Sequence, residues 1–133
     1  MPPMERPFLI GIAGGSGSGK TTFARRLVDA CARSGIAGRI FSLDNYYQPL
    51  GHMTLARRRS YNFDHPDAID FALAAEHLKA LLAGRPVRQP VYDFKLHTRK
   101  EATSLRRPSP LIVVEGLYAL YPPEILVALG GPG

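Results

Sequence analysis

The sequence contains one cysteine, Cys31, and no tryptophan. A lone thiol supports neither a disulfide framework nor a thiolate metal cluster and fits a reducing cytoplasm. Cys31 itself reads as a small buried apolar residue. No apolar run approaches the roughly 20 residues of a membrane helix. The opening residues Met1, Pro2, Pro3, Met4, Glu5 and Arg6 lack the basic and apolar blocks of a signal peptide. The expectation is a soluble, cytoplasmic chain with no membrane partner. Acidic residues are scarce as well: 11 Asp and Glu against 17 Lys and Arg leave a net charge of +6. That sign suits a partner carrying phosphate, whether nucleotide, nucleic acid or phospholipid, without choosing among them. The densest cluster, Arg57, Arg58 and Arg59, reads as a solvated loop or helix face rather than a nucleic-acid patch.

What is present is the composition of one globular domain: 133 residues, 45% hydrophobic and 21% charged. Phe8 to Ala13 (FLIGIA) is a continuous apolar run between Pro7 and a glycine cluster, as in a strand buried on both faces, and it reads as the central strand. After the glycines, Phe23, Leu27, Val28 and Cys31 fall on one helical face, and Gly35 ends that helix. Residues 39–43 (RIFSL) form a second strand that delivers Asp44 to its carboxyl end, where open α/β sheets place their chemistry. Residues 45–66 are irregular and aromatic-rich, with a turn near Pro49 and Gly51 and a helical turn near Leu55. Asp70 caps an amphipathic helix with apolar positions at Phe71, Ala74, Ala75, Leu78, Leu81 and Leu82, closed by Gly84 and Pro86. His77 on its polar side, and His52, read as surface residues. Residues 87–94 contain Pro90 and so suit an edge strand or a hairpin arm, with residues 101–107 as the other arm. Residues 111–114 (LIVV) are a second fully apolar strand ending at Glu115 and Gly116.

One motif carries chemistry outright. Gly14, Gly15, Ser16, Gly17, Ser18, Gly19, Lys20 and Thr21 satisfy every position of the phosphate-loop pattern G-x-x-x-x-G-K-[ST], between an expected strand and an expected helix. Given Gly usage of about 7%, a chance match in such a chain has odds on the order of a few per thousand. Glycines let successive backbone N–H groups turn toward phosphate oxygens, the helix amino terminus adds positive potential, Lys20 reaches the outer phosphates and Thr21 can ligate magnesium. Thr22 extends the same cradle. Two acids at strand ends complete the set: Asp44 to accept a proton from a substrate hydroxyl, and Glu115, in the Walker B position, to hold magnesium or its water. Taken singly, either acid also suits a helix cap or a surface site.

IGIAGGSGSGKTTFA, SLDNYYQPL, YNFDHPDAID, PVYDFKLHTRKEAT and IVVEGLYALY occur here in the order seen in the uridine kinase family, within the phosphoribulokinase and uridine kinase group, and the chain resembles that family over residues 8–121. The pairing of NFDHPDA with PVYDFxxHTR is the specific part. The resemblance implies an α/β P-loop NTPase fold, a parallel sheet flanked by helices, with a small β-hairpin for the nucleoside. It implies ATP or GTP as phosphate donor, Mg2+, and transfer of the γ-phosphoryl group to the 5′-hydroxyl of uridine or cytidine. On this reading Asp44 is the catalytic base and touches magnesium, and Lys20 serves catalysis. Asp64 holds the ribose hydroxyls beside Phe63; Tyr92, Phe94 and His97 line the pyrimidine pocket; Arg99 matches the Arg of the H-x-R segment. A carboxylate does suit a ribose diol, and aromatic faces suit a flat base. Tyr46 and Tyr47 are equally suited to packing and to contact.

The expected organisation is one domain over 1–133: a phosphate-loop unit at 7–44, a nucleoside-binding region at 45–107, and a Walker B-like strand with the start of a helix at 111–121. Relatives of this kind continue beyond Gly133 with later strands, an arginine-rich lid and part of the adenine surface, so the sheet should be incomplete. Its strands should order second, third, first, leaving the Phe8 strand an open edge that favours association. The isolated chain should then be weakly active or inactive. The partners expected are a nucleoside and a nucleoside triphosphate, with no nucleic acid, and a homo-oligomer is compatible. Rival readings are phosphoribulokinase-like chemistry on another small alcohol, a catalytically silent nucleotide-binding module, and a basic nucleic-acid-binding protein.

Overall fold

A computed structural model describes residues 7–14, 19–63 and 65–116. The strands are β1 (Phe8–Ala13), β2 (Gly38–Ser42), β3 (Val87–Asp93), β4 (Thr98–Arg106) and β5 (Leu111–Gly116). The helices are α1 (Lys20–Arg33), α2 (Leu55–Arg59) and α3 (Phe71–Leu82), with 3-10 turns at Leu43–Tyr46 and Pro66–Ala68. Among the described residues, β1, β5 and β2 form a parallel sheet in the order β1-β5-β2, and β3 and β4 form a separate antiparallel hairpin.

The central strand of this sheet is β5, all six of whose residues are buried. The strand order is the expected one, but β1 is not central and not buried on both faces: Phe8 is 77% exposed and Ala13 is also exposed. A continuous apolar run does not say how many neighbours a strand has. Here β1 has β5 on one side, so its residues are only half-covered by the helices above and below.

Alternation along β5 divides the core in two. Ile112 and Val114 face α3, where they pack with Phe41, Leu43, Tyr46, Ala74, Leu78 and Leu81. Leu111 and Val113 face α1, where Ala24 is buried and Leu27, Val28, Cys31, Ile10, Ile12 and Ile40 complete the layer. The expected α1 face shifts by one position. Phe23 is 60% exposed, whereas Ala24, Leu27, Val28 and Cys31 follow the i, i+3, i+4, i+7 spacing and point inward. Cys31 is half-buried in that layer rather than fully enclosed.

α3 starts where the sequence places it, with Leu73 N–H donating to Asp70 Oδ1 at 3.1 Å. It ends at Gly84, whose φ of 81° is a left-handed value that glycine adopts without strain. The hairpin is longer than expected in its second arm, which begins at Thr98 instead of residue 101, because the Phe94–His97 turn closes β3 directly onto it. Pro90 is accommodated at an irregularity in the pairing between Pro90 and Tyr92.

Candidate active site

Two groups of residues converge on the carboxyl ends of β2 and β5. At the start of α1, Gly19 adopts φ 81° and its carbonyl accepts from Phe23 N–H at 2.9 Å, so the chain enters the helix through a left-handed residue. Gly19, Lys20, Thr21 and Thr22 line a hollow of about 210 Å³ at this end. Of the phosphate-loop motif, Gly14 and Gly19–Thr22 are described; Gly15, Ser16, Gly17 and Ser18 lie outside the described residues. So do Asp64 and the expected helix start at 117–121.

The second group is built by sheet register. Glu115 stands opposite Ser42 on β2 and Ile12 on β1, in phase with Leu111 and Val113 and therefore on the α1 side of the sheet. It is 3% exposed, and its Oε2 is buried without a hydrogen-bond partner among the described residues. A buried carboxylate oxygen left unpaired is costly unless something outside the protein completes it. A cleft of about 410 Å³ joins Glu115 to Thr21, Ser42 and Asn45 and is rimmed by Arg25, Arg39 and Arg106.

Asp44 belongs to the Leu43–Tyr46 turn that follows β2, where its N–H donates to Ser42 Oγ at 3.3 Å. Burial pushes the Asp44 carboxyl above the ordinary carboxylate value, and the positive charge of Lys20 opposes that shift. Lys20 and Asp44, distant in sequence, therefore share one electrostatic environment. The described residues hold no cluster of three or more His, Cys, Asp or Glu side chains. Thr21, Asp44 and Glu115 are oxygen donors of the kind magnesium takes when it keeps waters and substrate phosphates in its shell, and the orphaned Glu115 oxygen fits such an ion.

The turn carrying Asp44 is held from three sides. A Cβ on Gly116 would lie 2.9 Å from Leu43 Cβ, so β5 and the turn meet at a distance that only glycine allows without displacement. Tyr46, fully buried, stacks on Phe41 with ring centroids 5.1 Å apart. Its hydroxyl lies 2.8 Å from His77 Nδ1 and accepts from Gln89 Nε2 at 3.4 Å, while Arg106 Nε donates to Gln89 Oε1 at 3.0 Å. Because an arginine only donates, Gln89 must present its oxygen to Arg106 and its amide nitrogen to Tyr46. The Tyr46 hydroxyl thereby joins Gln89 and His77, with the His77 tautomer setting whether tyrosine or histidine donates in that second bond. His77 is thus no surface residue: burial holds its pKa below the usual histidine value, and desolvation raises that of Tyr46.

On the hairpin side, Tyr47, Phe63, Tyr92 and His97 form one aromatic cluster. Tyr47 lies 5.4 Å from Phe63 and 5.2 Å from Tyr92, and the His97 ring tilts by 31° against Phe63 at 5.4 Å. Tyr61 flanks Phe63, and Phe94, 60% exposed, packs edge-on against Tyr92. The Tyr92 hydroxyl is buried without a partner among the described residues, and burial pushes its pKa up to about 12. His97 holds φ 51°, a left-handed conformation that costs a non-glycine residue roughly 1–2 kcal/mol. Arg99 is turned toward the framework, with Nε donating to Tyr47 O at 2.9 Å and Nη2 to Asp70 Oδ2 at 3.3 Å.

Sequence reasoning missed Tyr47, Gln89 and His77 as parts of these assemblies. Tyr46 and Tyr47, by sequence equally suited to packing and to contact, divide: Tyr46 packs in the core and Tyr47 joins the aromatic cluster. The run Arg57, Arg58 and Arg59 also divides: Arg57 and Arg59 are exposed, whereas Arg58 spends its guanidinium on backbone carbonyls.

A glycine-led helix start after β1, a buried acid ending β5, a second acid in the turn after the adjacent parallel strand β2 and a separate antiparallel hairpin are the architecture of a P-loop kinase. The solved structures agree on the fold. A possible uridine kinase from Bacillus stearothermophilus superposes with a TM-score of 0.72 at 24% identity, over 91% of this chain and 66% of that one. D-glycerate 3-kinase from Cryptococcus neoformans superposes at 0.58 and 22% identity, over 86% and 44%. The chain belongs to the Phosphoribulokinase / Uridine kinase family, whose model matches residues 9–129. It is 44% identical over 120 residues to the uridine kinase of Deinococcus deserti and 43% identical over 122 residues to that of Clostridium novyi. Those matches cover 90% and 92% of this chain but 57% and 58% of the relatives, so the chain spans somewhat more than half their length.

Proposed function

We propose that the chain supplies the phosphate-loop and nucleoside-binding portion of a kinase that transfers the γ-phosphoryl group of ATP to the 5′-hydroxyl of uridine or cytidine, a cytoplasmic salvage reaction. The observation that carries this reading is the aromatic cluster of Tyr47, Phe63, Tyr92 and His97, with the unpartnered Tyr92 hydroxyl, beside a turn that presents Asp44. Aromatic faces with a polar hydroxyl among them match a flat heterocycle with polar edges, while a small sugar phosphate has no use for them.

On this reading Lys20 and the backbone around Gly14 and Gly19 hold the donor phosphates, and Asp44 takes the hydroxyl proton. Thr21, Asp44 and Glu115 would hold magnesium, which when bound neutralises phosphate charge. The raised pKa of Asp44 brings it nearer the range in which a carboxylate works as a base. Phe63, Tyr92, Phe94 and His97 would face the base, with Asp64 assigned to the ribose. Arg99, fixed on Tyr47 O and Asp70, would act by holding Tyr47 in the pocket wall. Catalysis would consist of positioning and charge neutralisation.

The test is ADP release from ATP and magnesium with and without uridine, beside Asp44→Asn. Uridine-stimulated release that the substitution abolishes is the expected result. A folded, ATP-binding sample that shows no stimulation, alone or together with a chain supplying the remainder of a relative's length, would overturn the reading.

A further inference from the structure

Arg58 stands in the middle of an arginine run, on a helix of five residues with no buried side chain. Each of its three guanidinium nitrogens nonetheless reaches a backbone carbonyl. Nε donates to Leu50 O at 2.9 Å and Met53 O at 3.1 Å, Nη2 reaches Gly51 O at 3.4 Å, and Nη1 donates to Leu96 O at 3.0 Å. Three of these carbonyls belong to the loop at residues 50–53. The fourth belongs to the β3–β4 turn, one residue before His97.

That turn is held at two further points. Asp93 Oδ1 accepts from Lys95 N–H at 2.9 Å and Leu96 N–H at 3.1 Å, which keeps the Asp93 carboxyl below its usual pKa. Leu50 N–H donates to Thr98 Oγ1 at 2.8 Å, one residue after His97. His97 therefore sits between two anchored neighbours, in a left-handed conformation that its own backbone disfavours, with its ring against Phe63. Conformations of this kind persist where surroundings over-determine them. A planar fork with donors on several sides can join four carbonyls from two loops, whereas an ammonium on a flexible stem cannot hold that geometry.

We propose that Arg58 is a positioning residue: its four carbonyl contacts lock the β3–β4 turn to the 50–53 loop and so hold the His97 ring in the aromatic cluster against Phe63. The consequence for ligands rests on the nucleoside reading above. Among the described residues, the hydrogen bonds of Arg58 run to the 50–53 loop and the β3–β4 turn and not to Gly19–Thr22 or the Asp44 turn, so its loss should act on one ligand and not the other.

The experiment compares Arg58→Ala and Arg58→Lys with the unsubstituted chain by calorimetric titration of uridine and of ATP with magnesium, and by amide hydrogen exchange. Uridine affinity should fall about tenfold in both variants, with ATP affinity within twofold. The Leu50 and Leu96 amides should exchange at least tenfold faster, while β5 amides stay protected. Full recovery of uridine affinity in Arg58→Lys would overturn the proposal, since charge rather than the fork would then be sufficient. Equal loss of ATP and uridine binding would overturn it too, as a general folding defect. Unchanged exchange at Leu50 and Leu96 would remove the clamp itself. If the unsubstituted chain binds no uridine yet these amides are released in Arg58→Ala, the clamp stands and the nucleoside reading fails.

Discussion

Asp44 concentrates the conflict between stability and chemistry in a single side chain. Desolvation raises its folded-state pKa above the unfolded value. The folded protein therefore binds this proton more tightly, and stability gained from the group at low pH is lost as pH rises through the folded pKa. At neutral pH the charged, half-buried carboxylate opposes folding. Asp44→Asn should accordingly raise the thermal midpoint at pH 7 while lowering any uridine-dependent ADP release by about 10²–10⁴-fold, the usual contribution of a general base. Differential scanning calorimetry beside the activity assay checks both directions, and a lower midpoint would contradict the assigned burial cost. The acid limb of the rate profile should fall at a pH above the 3.8 of a free aspartate side chain. Glu115 shows a related tension, since its unpaired buried oxygen is tolerated at the position where a metal would complete it.

Among elements, the Leu43–Tyr46 turn is the one on which the others bear. Gly116 presses on Leu43 from β5, and the chain from Arg106 through Gln89 and Tyr46 to His77 ties the turn to the hairpin and to α3. Gly116→Ala should displace Leu43, cost about 1–3 kcal/mol as an overpacked contact, and reduce turnover by moving Asp44; denaturant unfolding and steady-state rates measure the two effects. The His77 end of the chain responds to pH with a defined sign. Its folded pKa is depressed, so its contribution is complete above the unfolded value of 6.5 and is lost as pH falls below it. His77→Asn should flatten the dependence of the denaturation midpoint on pH as the pH falls below 6.5. An unaltered slope would show that this ring does not titrate as its surroundings dictate.

At the scale of the whole molecule, one sheet is covered by α1 on the phosphate side and by α3 on the other, and the α3 layer also contains Leu43 and Tyr46. Core and site are therefore continuous. Leu78→Ala, at a fully buried position in that layer, should destabilise by about 2–5 kcal/mol. Because the same layer seats the Asp44 turn, it should weaken turnover more than it weakens ATP binding, which the proposed function assigns to the start of α1. Equal losses, measured below the unfolding transition, would argue that the two faces are not mechanically separate. No described helix is long and apolar enough to cross a membrane.

Much of this was legible along the chain. The phosphate-loop spacing, the apolar run ending in Glu115, the Asp70 cap and the Gly84 stop are local patterns, and local sterics and hydrogen bonding determine them wherever the chain goes. The resemblance carried by NFDHPDA and PVYDFxxHTR likewise needed only residues in order. The tertiary structure decided what pattern cannot encode: that β1 is only half-covered although its run is apolar throughout, and that Ala24 rather than Phe23 faces the sheet. It also decided that His77 meets Tyr46 across 31 residues of sequence and that one arginine of three is a clamp. A strand's neighbours and a polar side chain's partners depend on which surfaces meet once loops close. Those meetings are set by packing the two apolar layers together, which brings Lys20, Asp44 and Glu115 to one end of the sheet.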